Sequence, residues 1–407
     1  MPIDPFSPYC TNPVLKMEGC KGLEHNEFAY RCDYCKRKYE FRVRKAKKGA
    51  AKFAPSIEAR RLSVSTMSDL PGITAGKMQR EWTKRIEHIY ATMYQRALRK
   101  CLPPDFALCL CGSLARREAC PYSDIDSFLL VGKRKDADVE YFRRVGTEVK
   151  ECLLEMGGAV SGLRMCLGGL DPINIIETPE ELLDQLTDWE IRDPGSHVLG
   201  IRDSPRFLYG TYKLSRKFQD LISAAKSQDL PGRRSTAVKN LQRLVKPGGD
   251  FDLPTIKDET IMIKEQLYRP VQLLLRDLSA YFGLHATDQR TQVLDLTKEN
   301  AMSASVANYI INILEDVGKL RVQNQLRAKR EEDRLILDPQ NPKIREGDVV
   351  ATAKDLAQVK ACLERLGRLK KLTERFIDEY AVQQKGLGQV SSPKPKNPFL
   401  EDVGALA

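Results

Sequence analysis

Four histidines and two tryptophans are few for 407 residues. So little histidine excludes a second metal-dependent hydrolase site built on that side chain. No apolar run approaches the roughly 18–20 residues needed to span a bilayer. The opening Met1-Pro-Ile-Asp-Pro-Phe lacks the basic and apolar stretches of a secretory signal. These absences predict a cytoplasmic protein with no membrane partner. Internal repeats are lacking too, which removes the solenoid architectures. What remains, 42% hydrophobic and 30% charged, is an ordinary globular composition with room for two or three domains.

The charge is not balanced. A net charge of +11 and a pI near 9.0 favour an anionic partner, whether nucleotide, nucleic acid or acidic protein. Part of the excess is local: residues 36–52 hold nine Lys or Arg against the single acid Glu40. That run reads as a solvated basic linker or, with Tyr39 and Phe41, as a surface touching RNA or a protein partner. The eleven cysteines are too sparse for a secreted disulfide scaffold and fit reduced thiols. Cys32-Asp-Tyr-Cys35 is a tight turn able to hold Zn²⁺. Cys10 and Cys20, or Cys20 and His25, would complete four ligands in a closed, structural site, with free thiols as the alternative.

Five regions follow from the pattern: a Cys-rich zinc-like module over 1–45, a basic connector over 46–75, and a mixed α/β core over 76–228. A helical bundle over 229–385 and an unfolded tail over 386–407 complete the chain. In the core, Trp82, Ile86, Ile89, Tyr90, Met93 and Ala97 recur at helical spacing over Lys77 to Lys100. Phe106 to Cys111 is a continuous apolar run suited to a buried strand. Gly112-Ser113 breaks it, Leu114 to Ala119 can form a short helix, and Asp124 to Val131 starts polar and ends apolar as a second strand would. Val139 to Met156 reads as a helix, and Leu163 to Leu167 with Ile173 to Ile176 as further strands. Beyond, Ile261 to Phe282, Ser303 to Lys329 and Ala351 to Gln384 carry helical stripes, the first with Pro270 as a kink.

The chemistry concentrates in Gly112-Ser-Leu-Ala-Arg116-Arg-Glu118-Ala-Cys-Pro-Tyr-Ser123-Asp124-Ile-Asp126. Side chains alternate along a strand, so Asp124 and Asp126 project from one side. Carboxylates that close repel unless a cation lies between them, and Mg²⁺ prefers such hard oxygen ligands shared with phosphates. A Gly-Ser turn between strand and helix lets a triphosphate approach main-chain N–H groups, and Ser113 adds a hydroxyl.

This run resembles the nucleotidyltransferase core of the polymerase β superfamily, in particular the bacterial PII-protein uridylyltransferases and the CBS-linked nucleotidyltransferases. Their motif has Gly-Ser, then an Arg and a Glu, then Ser-Asp-Ile-Asp. Here these are Gly112-Ser113, Arg116, Glu118, Ser123, Asp124 and Asp126. Extra glycines are frequent around the family's Arg, where this chain has Ala115 and Arg117. Cys166-Leu-Gly168-Gly169, Asn174 and Thr178-Pro-Glu-Glu-Leu are similar to the family's second block. Ile201 to Gly210, with Asp203 and Arg206, is similar to a helix carrying a spaced Asp, Arg and Gly. Lys264 to Pro270, and Leu320-Arg321 to Glu332-Asp333, resemble the helical region that follows.

The resemblance implies an α+β fold: a small mixed sheet with flanking helices, then a helical bundle. It implies two Mg²⁺ ions on Asp124 and Asp126, with a third carboxylate from Asp171, Glu177 or Asp203, of which Asp203 matches the downstream block. Gly112, Ser113, Arg116, Glu118 and Ser123 would contact the NTP, although Arg116 can instead pair with a nearby acid. NMP would pass to an acceptor hydroxyl, on a protein by the uridylyltransferase likeness, with RNA or a small molecule as the alternative. A degenerate, non-catalytic interaction protein is the reading from outside enzymology.

Overall fold

The computed structural model describes residues 61, 63–67, 72–98, 105–123, 125–133, 136–155, 175–192, 201, 205–228, 230–255, 259–340, 344, 346–386 and 397–401. The Cys-rich module with Cys10, Cys20, Cys32, Cys35 and His25 lies outside the described residues, as do Asp124, Asp171 and Asp203. The fold is mixed α+β. Two compact units divide the chain: Met1–Val64 with Glu81–Ile222, and Ser65–Arg80 with Ser223–Ala407.

The first unit is built on a four-stranded sheet in the order β3-β2-β1-β4, from β1 (Phe106–Leu110), β2 (Ser127–Val131), β3 (Ile176–Glu177) and β4 (Arg206–Gly210). β1 pairs antiparallel with β2 and β4, and β2 runs parallel to β3. Every residue of β1 and β2 is buried, which explains their near-continuous apolar sequences: both faces of the sheet are covered. On one face Ala107, Cys109, Phe128 and Leu130 join Leu182 and Leu186 of α4 (Pro179–Arg192) and Phe218 of α5 (Tyr212–Gln228). On the other, Phe106 meets Phe142 of α3 (Asp136–Glu155), ring centroids 5.2 Å apart. The helix expected over Lys77 to Lys100 is α1 (Ala75–Leu98), and the one expected over Leu114 to Ala119 is instead a single turn that begins earlier, α2 (Gly112–Ala115).

Residues 206–210 correct the expected helix: they form β4, whose residues pair with Leu110 back to Ala107. Phe207, Leu208 and Tyr209 are apolar without helical spacing, and sheet pairing decides their conformation. Thr178 and Glu181, in the expected second block, form a reciprocal cap: Thr178 N donates to Glu181 Oε2 at 3.1 Å, and Glu181 N to Thr178 Oγ1 at 3.3 Å. With Pro179 following, this is a helix start.

The second unit is mainly helical: α6 (Leu230–Val245), α7 (Arg269–Tyr281), α8 (Gln289–Lys298), α9 (Ala304–Ala328) and α10 (Ala353–Gly386). Its core includes Leu241, Leu274, Ile310, Leu314 and Leu369. The stripe read as one helix over Ile261 to Phe282 is three elements. β5 (Thr260–Met262) pairs antiparallel with β6 (Arg334–Ile336), a π-helical turn covers Ile263–Tyr268, and α7 follows. Pro270 supplies no N–H to the turn before it, and there the Arg269 amide reaches five residues back to Lys264 O. Within the tail read as unfolded, residues 397–401 are folded onto this unit. Phe399 is fully buried against Phe376, ring centroids 5.7 Å apart, and Ser303 N donates to Phe399 O at 2.7 Å. Burial of this aromatic contributes about 1.5–3 kcal/mol, and Asn397 Nδ2 donating to Ala301 O and Ser303 Oγ donating to Glu401 O add to it. No helix among the described residues is long and apolar enough to cross a membrane.

Candidate active site

The junction between β1 and α2 carries the constellation. Register fixes it: Leu110 faces Ser127, and one step on the Cys111 amide donates to the Asp126 carbonyl at 3.0 Å. The residue that follows Cys111 is therefore held against Asp126. Gly112 takes φ +62°, left-handed backbone where a side chain is strained. A Cβ there would lie 3.1 Å from Asp126 Cγ and would run into its carboxylate. Two demands thus converge on Gly112, the turn and the space for Asp126.

α2 is one turn long, with Arg116 N donating to Gly112 O at 3.2 Å and Glu118 N to Ser113 O at 2.8 Å. Ser113, at its start, is half-buried. Arg116 Nε pairs with Glu118 Oε2 at 2.9 Å, and the Glu118 side chain is 1% exposed. Glu118 is thus walled into the turn, whereas Arg116 keeps more of its surface. Ser123 also builds: its Oγ accepts from Cys120 N at 2.9 Å, and its own amide returns to Cys120 O at 3.0 Å. Arg117 adopts φ +58°, the left-handed region that favours glycine.

Electrostatics bind these groups together. Burial pushes the Cys111 thiol well above its ordinary value, the Asp126 charge pushes it further, and Arg116 opposes the shift. Cys111 stays a protonated, buried wall beside the carboxylate. Tyr90 on α1 meets the Ser127 hydroxyl at 2.7 Å, and its phenol is raised first by burial and then by Tyr94.

Sequence reasoning missed how α2 is held from behind. Arg206, at the start of β4, donates Nε to Ala115 O at 2.9 Å and Nη2 to Leu114 O at 2.6 Å, and it also pairs with Glu87 of α1. The carbonyls at the end of a one-turn helix need outside donors, and a guanidinium fork supplies two. Glu177 stands apart from the site. It is paired with Leu130, four residues beyond Asp126, or about 13 Å along the strand.

The described residues contain no group of three or more His, Cys, Asp and Glu side chains suited to a metal. Of the two expected ligands Asp126 is described, and its carboxylate, pressed against a bare glycine backbone, is the hard oxygen donor that Mg²⁺ would require. Residues 72–335 match the family described as SidM, N-terminal domain, over more than half of the chain. This chain belongs to that family. The membership is nucleotidyltransferase-like in general kind; the narrower likeness to PII-protein uridylyltransferases has no counterpart in it. The family region takes in the whole β1–α2–β2 junction and ends within β6, ahead of α10.

Proposed function

We propose that this chain transfers a nucleoside monophosphate from an NTP to a protein hydroxyl and releases pyrophosphate. The observation that carries the reading is the register at Cys111 and Asp126, which seats a carboxylate against the left-handed Gly112 at a strand-to-turn junction. Family membership supports the general reaction class.

Mg²⁺ held by Asp126 with Asp124 would neutralise charge on the phosphates and orient them for in-line displacement. The amides that open the turn at Gly112-Ser113 would serve as donors to phosphate oxygens, and Ser113 can add its hydroxyl. The acceptor oxygen bonds to the α-phosphorus while the bond to the β-phosphate's bridging oxygen breaks, and pyrophosphate keeps that oxygen. The acceptor proton passes to a carboxylate. Asp203 is our candidate, because it matches the spaced Asp of the downstream block in the nucleotidyltransferase resemblance. Arg116, paired with Glu118, and Ser123, which closes the turn on Cys120, would line the approach of the nucleotide.

The test is incubation of the full chain with each α-labelled NTP, Mg²⁺ and cell lysate, beside Asp126→Asn. Label on a protein band that vanishes in the variant supports the proposal and identifies the base. Label on RNA or a small molecule changes the acceptor. No NTP bound or consumed, even with Mn²⁺, overturns the reaction.

A further inference from the structure

Residue 61 stands outside the family region, which begins at residue 72, yet its side chain reaches the turn that leads to the carboxylates. Residues 61 and 63–67 are helical. Arg61 is 2% exposed, and its Nε donates to Pro121 O at 3.2 Å. Its guanidinium carbon lies 3.9 Å from the Tyr122 ring centroid and 5.9 Å from that of Trp82 on α1. Pro121 and Tyr122 directly precede Ser123, whose amide and hydroxyl close the turn on Cys120. Three residues later comes Asp126.

A buried guanidinium is costly to desolvate unless hydrogen bonds and a favourable ring face replace its water. Anchoring this short helical stretch does not need that expense. Val64, fully buried, and Ser63, which accepts from Arg85 Nη1 at 2.9 Å, already fasten it. What Arg61 adds is a grip on the Pro121 carbonyl and the Tyr122 ring. On the other side of Asp126, Tyr90 grips Ser127 at 2.7 Å. Asp126 thus sits between two held points, and α1 contributes to both through Trp82 and Tyr90.

We propose that Arg61 is a positioning residue for nucleotidyl transfer: it fixes the Pro121–Ser123 turn and so the path by which the chain enters Asp126. This rests on the transfer reading above. It makes the site's geometry depend on a piece of chain that precedes the family domain.

The experiment compares Arg61→Ala, Arg61→Lys and Val64→Ala in the full chain, reading kcat, KM for the NTP, and hydrogen exchange of amides 119–127. Direct hydrogen-bond partners of metal ligands typically account for about 10- to 100-fold in activity, and Arg61, one step further back, should fall at the low end. Arg61→Ala should therefore lower kcat by about tenfold with KM changed less than about twofold, a loss confined to the chemical step. Exchange should rise in 119–127. Arg61→Lys, which keeps a cation over Tyr122 but loses the planar fork, should recover part of the rate. Val64→Ala weakens the same helical stretch but leaves the Arg61 side chain in place, so its kcat should fall clearly less than that of Arg61→Ala. Unchanged kcat and exchange in Arg61→Ala would overturn the proposal, and so would an equal kcat loss in Val64→Ala. Should Arg61→Ala fail to fold, Arg61→Lys decides: wild-type kcat there sinks the idea, and a lowered kcat with exchange raised only in 119–127 sustains it. If the wild type transfers nothing, the transfer reading falls, and the exchange data alone still decide whether Arg61 holds the turn.

Discussion

The sheet unit and the helical unit bury charged side chains to different ends. In the helical unit Arg321 pairs with Asp333 at 3.0 Å, packs 5.0 Å from the Tyr268 ring centroid, and sits beside Asn324, which donates to the carbonyls of Glu332 and Arg334. That cluster fastens α9 to the strand β6 inside a large apolar core. In the sheet unit Arg61, Glu118 and Ser123 are buried around one strand-to-turn junction, with Arg206 and Glu87 behind it. Gly112 and Asp126 at its centre remain half-buried. Stability alone is served as well by apolar packing, so polar groups gathered around a partly open carboxylate speak for orientation. One cluster closes a core and the other frames a site.

The sharpest break of this comparison is Asp126→Asn. It keeps the volume and removes the charge that would hold a metal, so transfer should fall on the order of 10³-fold, the rate equivalent of roughly 4 kcal/mol. Melting should hardly move. An enzyme that still transfers normally would place the chemistry elsewhere. The counterpart in the helical unit is Arg321→Ala, which leaves Asp333 buried without its guanidinium. Removing one partner of a buried pair costs about 3–5 kcal/mol. Denaturant midpoint should drop accordingly, while transfer per folded molecule stays near wild type. A variant of full stability with lost transfer would show that the Arg321 cluster serves the site after all.

How far these two clusters were legible in the sequence also differs. β1 and β2 were readable because both are unbroken apolar runs, and Asp126 fell at the mouth of β2 because the polar-to-apolar switch comes there. Gly112 was legible for the same reason, as the break after the run. Arg206 and Glu87 are separated by more than a hundred residues, and neither has a local signal that foretells the other. The strand at 206–210 was misread as a helix because its partner β1 decides its state. Pro270 foretold a disturbance, but β5 and the π-helical turn before it arise from pairing with β6. Phe399 looked like part of a polar tail, since a single aromatic carries no periodicity; its pocket beside Phe376 exists only in the folded unit. Local pattern reports what the chain does with itself over one turn or strand, and these misses all depend on a distant partner.

A milder test stays within α2 and its exit. Gly112 at φ +62° and Arg117 at φ +58° share a left-handed backbone, but one is glycine by need and the other is not. Gly112→Ala adds about 1–2 kcal/mol of backbone strain and forces the Asp126 carboxylate aside. Transfer should fall about tenfold or more, with melting lowered by a few degrees. Arg117→Gly relieves the same strain and meets no such contact, so stability should rise by up to about 1 kcal/mol, the strain relief less the added glycine entropy. If both variants lose stability alike, the left-handed strain at Arg117 is offset by contacts of its side chain.

The smallest effect compares the thiols buried in the two cores. Burial pushes Cys109 in the sheet unit from 9.0 up to about 12, opposed more weakly by the Ser215 hydroxyl. In the helical unit Cys362 is also pushed to about 12, by burial first and by Asp316 second. An ionised sulfur in either core has lost its water, so the folded thiol keeps its proton to higher pH than the unfolded one. The thiols' stabilising contribution is therefore complete below about pH 9 and is lost progressively as pH rises towards 12. Melting curves from pH 8 to 10.5 should slope downward in the wild type and less steeply in Cys109→Ala and Cys362→Ala. Tyrosines titrate in the same window, but they are common to all three proteins, so the difference in slope belongs to the thiols. Because both thiols are pushed to about 12, the two replacements should flatten the curve alike. A flattening by Cys362→Ala alone would mean that Cys109, though fully buried on the central strand β1, gains water that the helical core excludes.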